Sequence, residues 1–509
     1  MGAALVTVTA SGKAPTLRPP LNDVIAGLTV ALVLVPQALA YAALAGLPPA
    51  VGIMAAIFPP LASALLGSSP YLQTGPTALT SLLTLGVLAT TFVPGSPGYV
   101  QAAALLALLV GAARVVIGLA RFGSLAYFMS LPVLRGFTSG AAVIIVASQI
   151  PAVLGRGSAG LGLWAAAWRA VSDLASYNYV AIALTVLTVV VIRGLRRVSP
   201  LIPGVLIAVL LGLAATATFG RVTPVVGPMP STLSMPSLDL PWGQSGTLLL
   251  GALVIALVGF AEPAAIARTF ASRQAPWNAD RELVAQGAAN LVSGLMHGMP
   301  VGGSFSRSAL NRQAGARTRL SGAVAGLAVL AFLPFSFVLQ DLPRAVLAAI
   351  VIVSASSLLQ LGALFKLWRY AKSQASTAIA TFALTIVMAP RVDYAVVIGI
   401  SLALITHLYR EAQLGVTVDR DEGEVTIRFD GVLWFGSLQT LERVIQSVED
   451  DLTNVDRVVL DTSRLGRVDF SALMLLYDAE RRLSDQGLDV SIKGLHGRGE
   501  MIMGRIRRG

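Results

Sequence analysis

Between residues 23 and 409 the chain is a succession of apolar runs, most of them of the length a helix needs to cross a bilayer. The runs fall at 23–44, 50–66, 76–92, 100–119, 125–150, 177–193, 201–217, 246–267, 283–300, 303–311, 319–338, 343–362, 374–389 and 393–409. Two of them, starting near Thr77 and near Gly303, are too short for a full crossing. With 55% hydrophobic residues, 12% charged residues and a mean hydropathy of +0.75, a soluble globular protein is excluded and a polytopic α-helical membrane protein is expected.

The run Thr247–Ala271 stands apart from the others because it holds one acid, Glu262, well inside it. A carboxylate at that depth is costly, and such residues face a cavity, a partner or an ion path. Pro263 follows at once and removes a backbone donor, so a local break in the helix is expected there. About thirty residues on, Gly298–Ser308 is rich in glycine and serine and carries a single cation, Arg307, near the membrane's middle. A lone buried acid beside a broken, cationic helix start reads as an ion and anion site, served by a scaffold that alternates access to it.

The net charge of +11 does not mark a nucleic-acid-binding surface. Residues 412–509 hold 17 of the 26 acids and 13 of the 37 Lys and Arg, so this tail is net negative and the front is net positive. Assigned to fourteen crossings with the N-terminus inside, fourteen loop cations are inner and five are outer. The inner ones include Arg193, Arg196, Arg197, Lys366, Arg369 and Lys372; the outer ones are Arg156, Arg169, Arg221, Arg344 and Arg391. Both termini are therefore expected in the cytoplasm. Residues 1–22 read as a short cytoplasmic arm, since they lack the apolar core of a signal peptide. There are no cysteines, and the histidines His297, His407 and His496 have no metal-ligand spacing, so neither a metal nor a cofactor is expected.

The membrane part, 23–411, reads as two halves, about 23–217 and 246–410. In the first, the span starting at Asp23 is followed some fifty residues later by Gln73–Leu79; in the second, the span near Thr247 is followed at a similar distance by Val301–Arg307. Each is a glycine-rich break opening a short helix. Seven spans per half is odd, so the halves run oppositely through the bilayer, and paired interrupted helices point to a midplane site. The alternative is that glycines such as Gly294 and Gly298 merely permit close helix packing.

From Gln413 onward the periodicity changes. Glu424–Asp430 alternates as a strand, Leu438–Asp450 reads as an amphipathic helix, Arg457–Asp461 as a buried strand, Ser471–Gln486 as a second helix and Leu488–Ile492 as another strand. The segment 412–509 is thus expected to be a small cytoplasmic α/β domain ending in a short helix, Arg498–Arg508.

Several motifs resemble the sulfate permease (SulP) family of anion transporters. They are Val35–Pro49, Gly67-Ser-Ser-Pro70, Gly75-Pro-Thr77, Val258-Gly-Phe-Ala-Glu262 and Gly303–Ser308. The tail, with Leu460–Ser471, resembles the sulfate-transporter and anti-sigma-factor-antagonist (STAS) domain. The resemblance implies fourteen spans in a seven-plus-seven inverted repeat with two short half-helices, a homodimer, and an anion held between the half-helices that begin near Thr77 and Ser304. Carried over by residue, Gln37, Tyr41, Thr77, Ala78, Gly303, Phe305, Ser306 and Arg307 line that pocket, and Glu262 takes the acidic ion-coupling position. Glutamate there leans toward protons rather than sodium. Ser471 matches a serine that is phosphorylated in stand-alone antagonist domains; the plainer reading is a helix N-cap.

Elementary electrostatics supports these roles separately. Two helix N-termini aimed at one point supply free N–H groups and partial positive charge for an oxyanion, and Arg307 adds a planar fork. Anion entry against a negative-inside potential needs a driving ion, about 2.3 kcal/mol per charge per 100 mV. Glu262, withdrawn from water, could load and release a proton. The alternative for Glu262 is a structural partner of Arg307.

The expected protein is a proton-coupled symporter of a small inorganic or organic anion (dicarboxylate, sulfate or bicarbonate class) in a bacterial inner membrane. An uncoupled exchanger or channel-like pathway is the first alternative. A membrane anion sensor, its tail binding a cytoplasmic protein partner, is the second. No phosphate-binding Gly-x-x-x-x-Gly-Lys loop supports ATP-driven transport, and no catalytic constellation supports an enzyme.

Overall fold

The computed structural model of the chain describes residues 20–124, 130–157, 161–233, 235–273, 276–451 and 455–508. Most of the expected arm 1–22 and the start of the run expected at 125–150 lie outside the described residues. The chain divides into two compact units, Met1–Ile400 and Ser401–Gly509.

The first unit is helical, and its element order occurs twice. The first pass is α1 (Leu21–Leu44), α2 (Pro49–Leu66), β1 (Thr74–Gly75), α3 (Ala78–Leu88), α4 (Pro97–Leu119), α5 (Leu131–Val153), α6 (Leu163–Ser172), α7 (Tyr179–Val198) and α8 (Gly204–Phe219). The second is α9 (Ser245–Thr269), α10 (Ala279–Leu295), β2 (Gly302–Gly303), α11 (Phe305–Gln313), α12 (Leu320–Phe332), α13 (Arg344–Ser356), α14 (Leu361–Tyr370), α15 (Lys372–Val387) and α16 (Val392–Glu411). Each of the fourteen apolar runs falls on one of these helices. Among the described residues, nine helical segments are long and apolar enough to cross a membrane by length and composition. The two short helices α6 and α14, ten residues each, were not expected. They are too short to cross, and their large apolar side chains stay mostly exposed.

The packing repeats under exchange of the halves. α4 packs on α10 as α12 does on α2; α4 meets α9 as α12 meets α1; α3 meets α9 as α11 meets α1; α5 meets α15 as α13 meets α7. At the centre of this two-fold exchange β1 pairs with β2 antiparallel, Thr74 opposite Gly303 and Gly75 opposite Gly302. The equivalent strands are antiparallel and the helix contacts repeat under exchange, as halves that run in opposite directions require.

Glycine does set a close helix contact, between α4 and α10. A methyl at Gly294 would stand 2.6 Å from the Ala104 carbonyl oxygen, and one at Gly111 2.6 Å from the Leu291 nitrogen. Small residues there let two backbones touch where no hydrophobic force between helices is available. The expected break at Pro263 is absent: α9 continues through it. Proline's missing N–H leaves the Gly259 carbonyl without its helical donor, but a single lost bond in a helix packed on both sides is tolerated.

The second unit is α/β. Its elements are β3 (Gly415–Asp421), β4 (Glu424–Leu433), α17 (Leu438–Glu449), β5 (Arg457–Val468), α18 (Phe470–Asp485), β6 (Asp489–Lys493) and α19 (Arg498–Ile506). The sheet order is β3-β4-β5-β6, antiparallel at the first pair and parallel at the other two. Val425, Ile427 and Phe429 of β4 pack with Leu441 and Ile445 of α17 and with Leu473 and Leu476 of α18. β3 was not foreseen, because as an edge strand with almost every residue exposed it carries no buried alternation. The N-cap of α18 is Asp469, not Ser471: its side chain accepts from the Ala472 N–H at 2.8 Å and from the Phe435 N–H at 2.9 Å. Ser471 is the second helical residue and is exposed.

Candidate functional site

The β1–β2 bridge fixes two helix starts near the middle of the first unit. Past β1 the chain turns into α3, whose N-cap Thr77 accepts from the Thr80 N–H at 3.3 Å. Past β2 it turns into α11, whose N-cap Ser304 accepts from the Arg307 N–H. Ser304 N–H donates in turn to the Gln73 carbonyl at 3.0 Å, and Gln73 N–H to Ser308 Oγ at 2.9 Å, so each entry segment steadies the other. Helix geometry leaves the N–H groups of Ala78, Leu79, Phe305 and Ser306 without intrahelical acceptors.

Arg307, one turn into α11, is 1% exposed. Its Nη1 donates to Gln37 Oε1 at 3.0 Å and its Nη2 to the Pro76 carbonyl at 2.9 Å, immediately before α3. Its buried Nε has no hydrogen-bond partner on the protein among the described residues. Gly75 lies beside that reach: its φ of +153° is one that side chains rarely adopt, and a Cβ on it would stand in ordinary contact, 3.4 Å from Arg307 Nη2. Glu262, on α9, accepts from the Phe305 N–H at 3.4 Å, a long bond that places the carboxylate at the start of α11. Tyr41 lies one turn beyond Gln37 on α1, buried, within electrostatic range of both Arg307 and Glu262.

The structure therefore brings together Gln37, Tyr41, Glu262, Arg307 and the helix starts at Thr77–Ala78 and Gly303–Ser306. Gly303 is buried against Pro263, where a Cβ would come within 3.2 Å of Pro263 Cα. Phe305 offers its backbone rather than its ring, which lies 5.9 Å from that of Phe270. Ser306 is exposed and its hydroxyl is 3.3 Å from that of Ser304. Ser471 belongs to the other unit.

Three supporting residues were not foreseen. Arg114, fully buried on α4, donates to the carbonyls of Ile255 at 3.0 Å, Ala256 at 3.1 Å and Val301 at 3.0 Å. It thereby holds α9 and the approach to β2 in one grip. Asn290 brackets Val301, accepting from its N–H at 2.9 Å and donating to its carbonyl at 3.1 Å. Gln286 donates to Thr74 Oγ1 at 2.7 Å. The pair Gln286 and Asn290, four apart in an apolar run, is a legible signal; an isolated Arg114 gives no hint of what it faces.

Comparison with known proteins bears on this arrangement. A family model described as the sulfate permease family matches residues 21–381. A probable sulfate transporter of Mycobacterium tuberculosis is 34% identical over 493 residues, 92% of this chain and 88% of its own. Solute carrier family 26 member 6 of Homo sapiens is 32% identical, over 79% of this chain and 57% of its own. The murine Solute Carrier 26 family member A9 anion transporter, solved in its inward-facing state, shares the fold with a TM-score of 0.88 at 18% identity, over 97% of this chain and 88% of its own. The transmembrane domain of a cyanobacterium bicarbonate transporter, BicA, matches with a TM-score of 0.66 at 26% identity, over 73% of this chain and 97% of its own. A multi-pass helical bundle with two central helix starts and a family match over most of its length is not an enzyme: the chain belongs to the sulfate permease family of anion transporters.

Proposed function

We propose that this transporter couples entry of a small oxyanion, of the sulfate, bicarbonate or dicarboxylate class, to a proton carried by Glu262. The anion sits where the starts of α3 and α11 converge, with the Arg307 fork, Gln37 and Tyr41 around it. The observation that carries the reading is Arg307: a buried guanidinium held by two neutral acceptors, with Nε unpartnered and no carboxylate in salt-bridge contact among the described residues. A buried cation with no carboxylate in contact is costly, and Glu262 acts on it only at a distance, so the site calls for an anion.

Glu262 supplies the coupling in this reading. As a carboxylate it accepts from the Phe305 N–H, one of the donors an anion at α11 would use. Two negative groups competing for one helix start exclude each other, so protonation of Glu262 favours anion loading and its deprotonation favours release. The names of the sulfate and bicarbonate transporters among the relatives agree with an oxyanion.

The second unit, with its sheet flanked by α17, α18 and α19, fits a STAS domain, here assigned to the cytoplasm of a bacterial inner-membrane homodimer with both termini inside. Ser471 would place a phosphate in the first turn of α18, beside the Asp469 carboxylate.

The test is uptake of labelled anions into proteoliposomes, with and without an inward proton gradient, for the wild type and Glu262→Gln. Gradient-driven uptake lost in the variant while exchange survives is the expected result. Exchange that persists in both proteins with no response to the gradient replaces symport by the exchanger reading. Wild-type protein that moves no anion leaves only the sensor.

A further inference from the structure

We propose that α14, with the adjoining end of α7, is a binding site for the phosphate headgroups of anionic phospholipids. On α14 the side chains of Leu361, Phe365 and Trp368, spaced at i, i+4 and i+7, form one stripe. They are 41%, 75% and 47% exposed, while Leu364, at the edge of the stripe beside Trp368, is buried against the bundle. A helix of ten residues that keeps such a stripe uncovered lies in the interface, with the stripe in the acyl region.

The charge beside the stripe selects the lipid. Lys366 and Arg369 stand on the neighbouring face and Lys372 opens α15; all three are exposed. No Asp or Glu occurs anywhere from 342 to 392, so α14 and α15 contain none, and neither does α5, on which α14 also packs. Arg193 Nη2 donates to Ser356 Oγ at 3.3 Å, which brings the end of α7, with Arg196 and Arg197, to the same end of the bundle. No acid occurs from 174 to 238 either.

The counterpart helix in the other half is an internal control. α6 presents the same stripe, Trp164, Trp168 and Val171, also exposed. Its one cation, Arg169, is followed by Asp173, which pairs with Arg156. One half thus carries the aromatic stripe alone, and the other carries it with an unneutralised basic cluster. Interfacial anchoring is common to both helices; recognition of a negative headgroup belongs to α14.

The experiment places the full chain in phosphatidylcholine vesicles containing a fixed fraction of phosphatidylglycerol. Brominated acyl chains are put on one lipid or the other at equal total bromine. The Trp368 share of the fluorescence is taken against Trp368→Phe, and the Trp168 share against Trp168→Phe. Trp368 should be quenched several-fold more by brominated phosphatidylglycerol than by brominated phosphatidylcholine, and Trp168 equally by both. In Lys366→Gln/Arg369→Gln/Lys372→Gln the preference should fall to the level of Trp168. Equal quenching of Trp368 by the two lipids in the wild type overturns the proposal, as does a preference that the triple variant keeps. Unchanged quenching of Trp168 shows that the triple variant has inserted, and the wild-type comparison decides even where it has not.

Discussion

Arg307 on α11 donates to Gln37 on α1 at 3.0 Å, joining a helix of one inverted half to a helix of the other across the β1–β2 bridge. The same guanidinium reaches the Pro76 carbonyl, so α1, α3 and α11 share one cation. Lysine cannot span Gln37 and the Pro76 carbonyl in that fixed geometry, because an ammonium on a flexible stem has no planar fork. Arg307→Lys should therefore raise the anion concentration for half-maximal uptake at least tenfold, since one hydrogen bond to a charged group is worth about 1.5–3 kcal/mol. Gln37→Ala, which leaves Nη1 without its acceptor, should have a smaller effect in the same direction. Wild-type half-saturation in Arg307→Lys would remove the guanidinium from the anion site.

Two glycines in helices should respond oppositely to alanine. A methyl at Gly259 on α9 would lie 2.7 Å from Arg114 Nη2, and Arg114 is clamped by three bonds to backbone carbonyls. Neither partner can yield freely, so Gly259→Ala should lose about 1–3 kcal/mol as overpacking. Gly362, on α14, has no atom within 4 Å of such a methyl, and Gly362→Ala should gain up to about 1 kcal/mol from helix propensity. Thermal unfolding of both variants in one detergent compares them directly. Equal midpoints would mean that α9 and α4 can move apart at this point.

Arg114 itself links stability to transport. Arg114→Met keeps the volume and removes the donor to the Ile255, Ala256 and Val301 carbonyls. The Ile255 and Ala256 carbonyls keep their places in the helix ladder, but Val301 relies on Arg114 and Asn290 alone among the described contacts. The variant should lose about 1–3 kcal/mol for an under-satisfied buried carbonyl. Transport should fall with it, because Val301 leads into β2 and the start of α11. A stable variant with slow transport is the signature of a positioning role, and a stable, fully active variant would refute it.

How far these relationships were legible depends on whether a signal is local. Bilayer-length runs are local, and so every crossing helix was in view, as were the glycine-rich starts at Thr77 and Ser304. Glu262 and Arg307 stood out because a charge in an apolar run is rare. Arg114 is just as rare, but its partners lie 141 to 187 residues away in sequence, and only the fold brings them to it. The helices α6 and α14 were missed because an interfacial helix has neither the length of a span nor the polarity of a loop. At Pro263 the residue type suggested a break, and packing on either side of α9 overrode it.

In the second unit, Asp461 allows a pH prediction outside the membrane. Its carboxyl is held below the usual carboxylate range by hydrogen bonds from Ser463, the side chain first and then the N–H at 2.9 Å, with the Arg428 and Arg464 charges adding less. Because the folded value lies below the unfolded one, the ionised form stabilises the fold at any pH above the ordinary carboxylate range. That stabilisation is lost as the pH falls through the folded value. Asp461 is only partly buried, so solvent screening keeps the effect small and local to β5. Hydrogen exchange of β5 amides, corrected for intrinsic rates, should show Asp461→Asn less protected than the wild type at pH 7. The two should converge as the medium is made acidic enough to protonate the wild-type carboxylate. A gap that stays constant down to acid would mean that the asparagine disturbs packing, and that the charge on Asp461 does not hold Ser463 in β5.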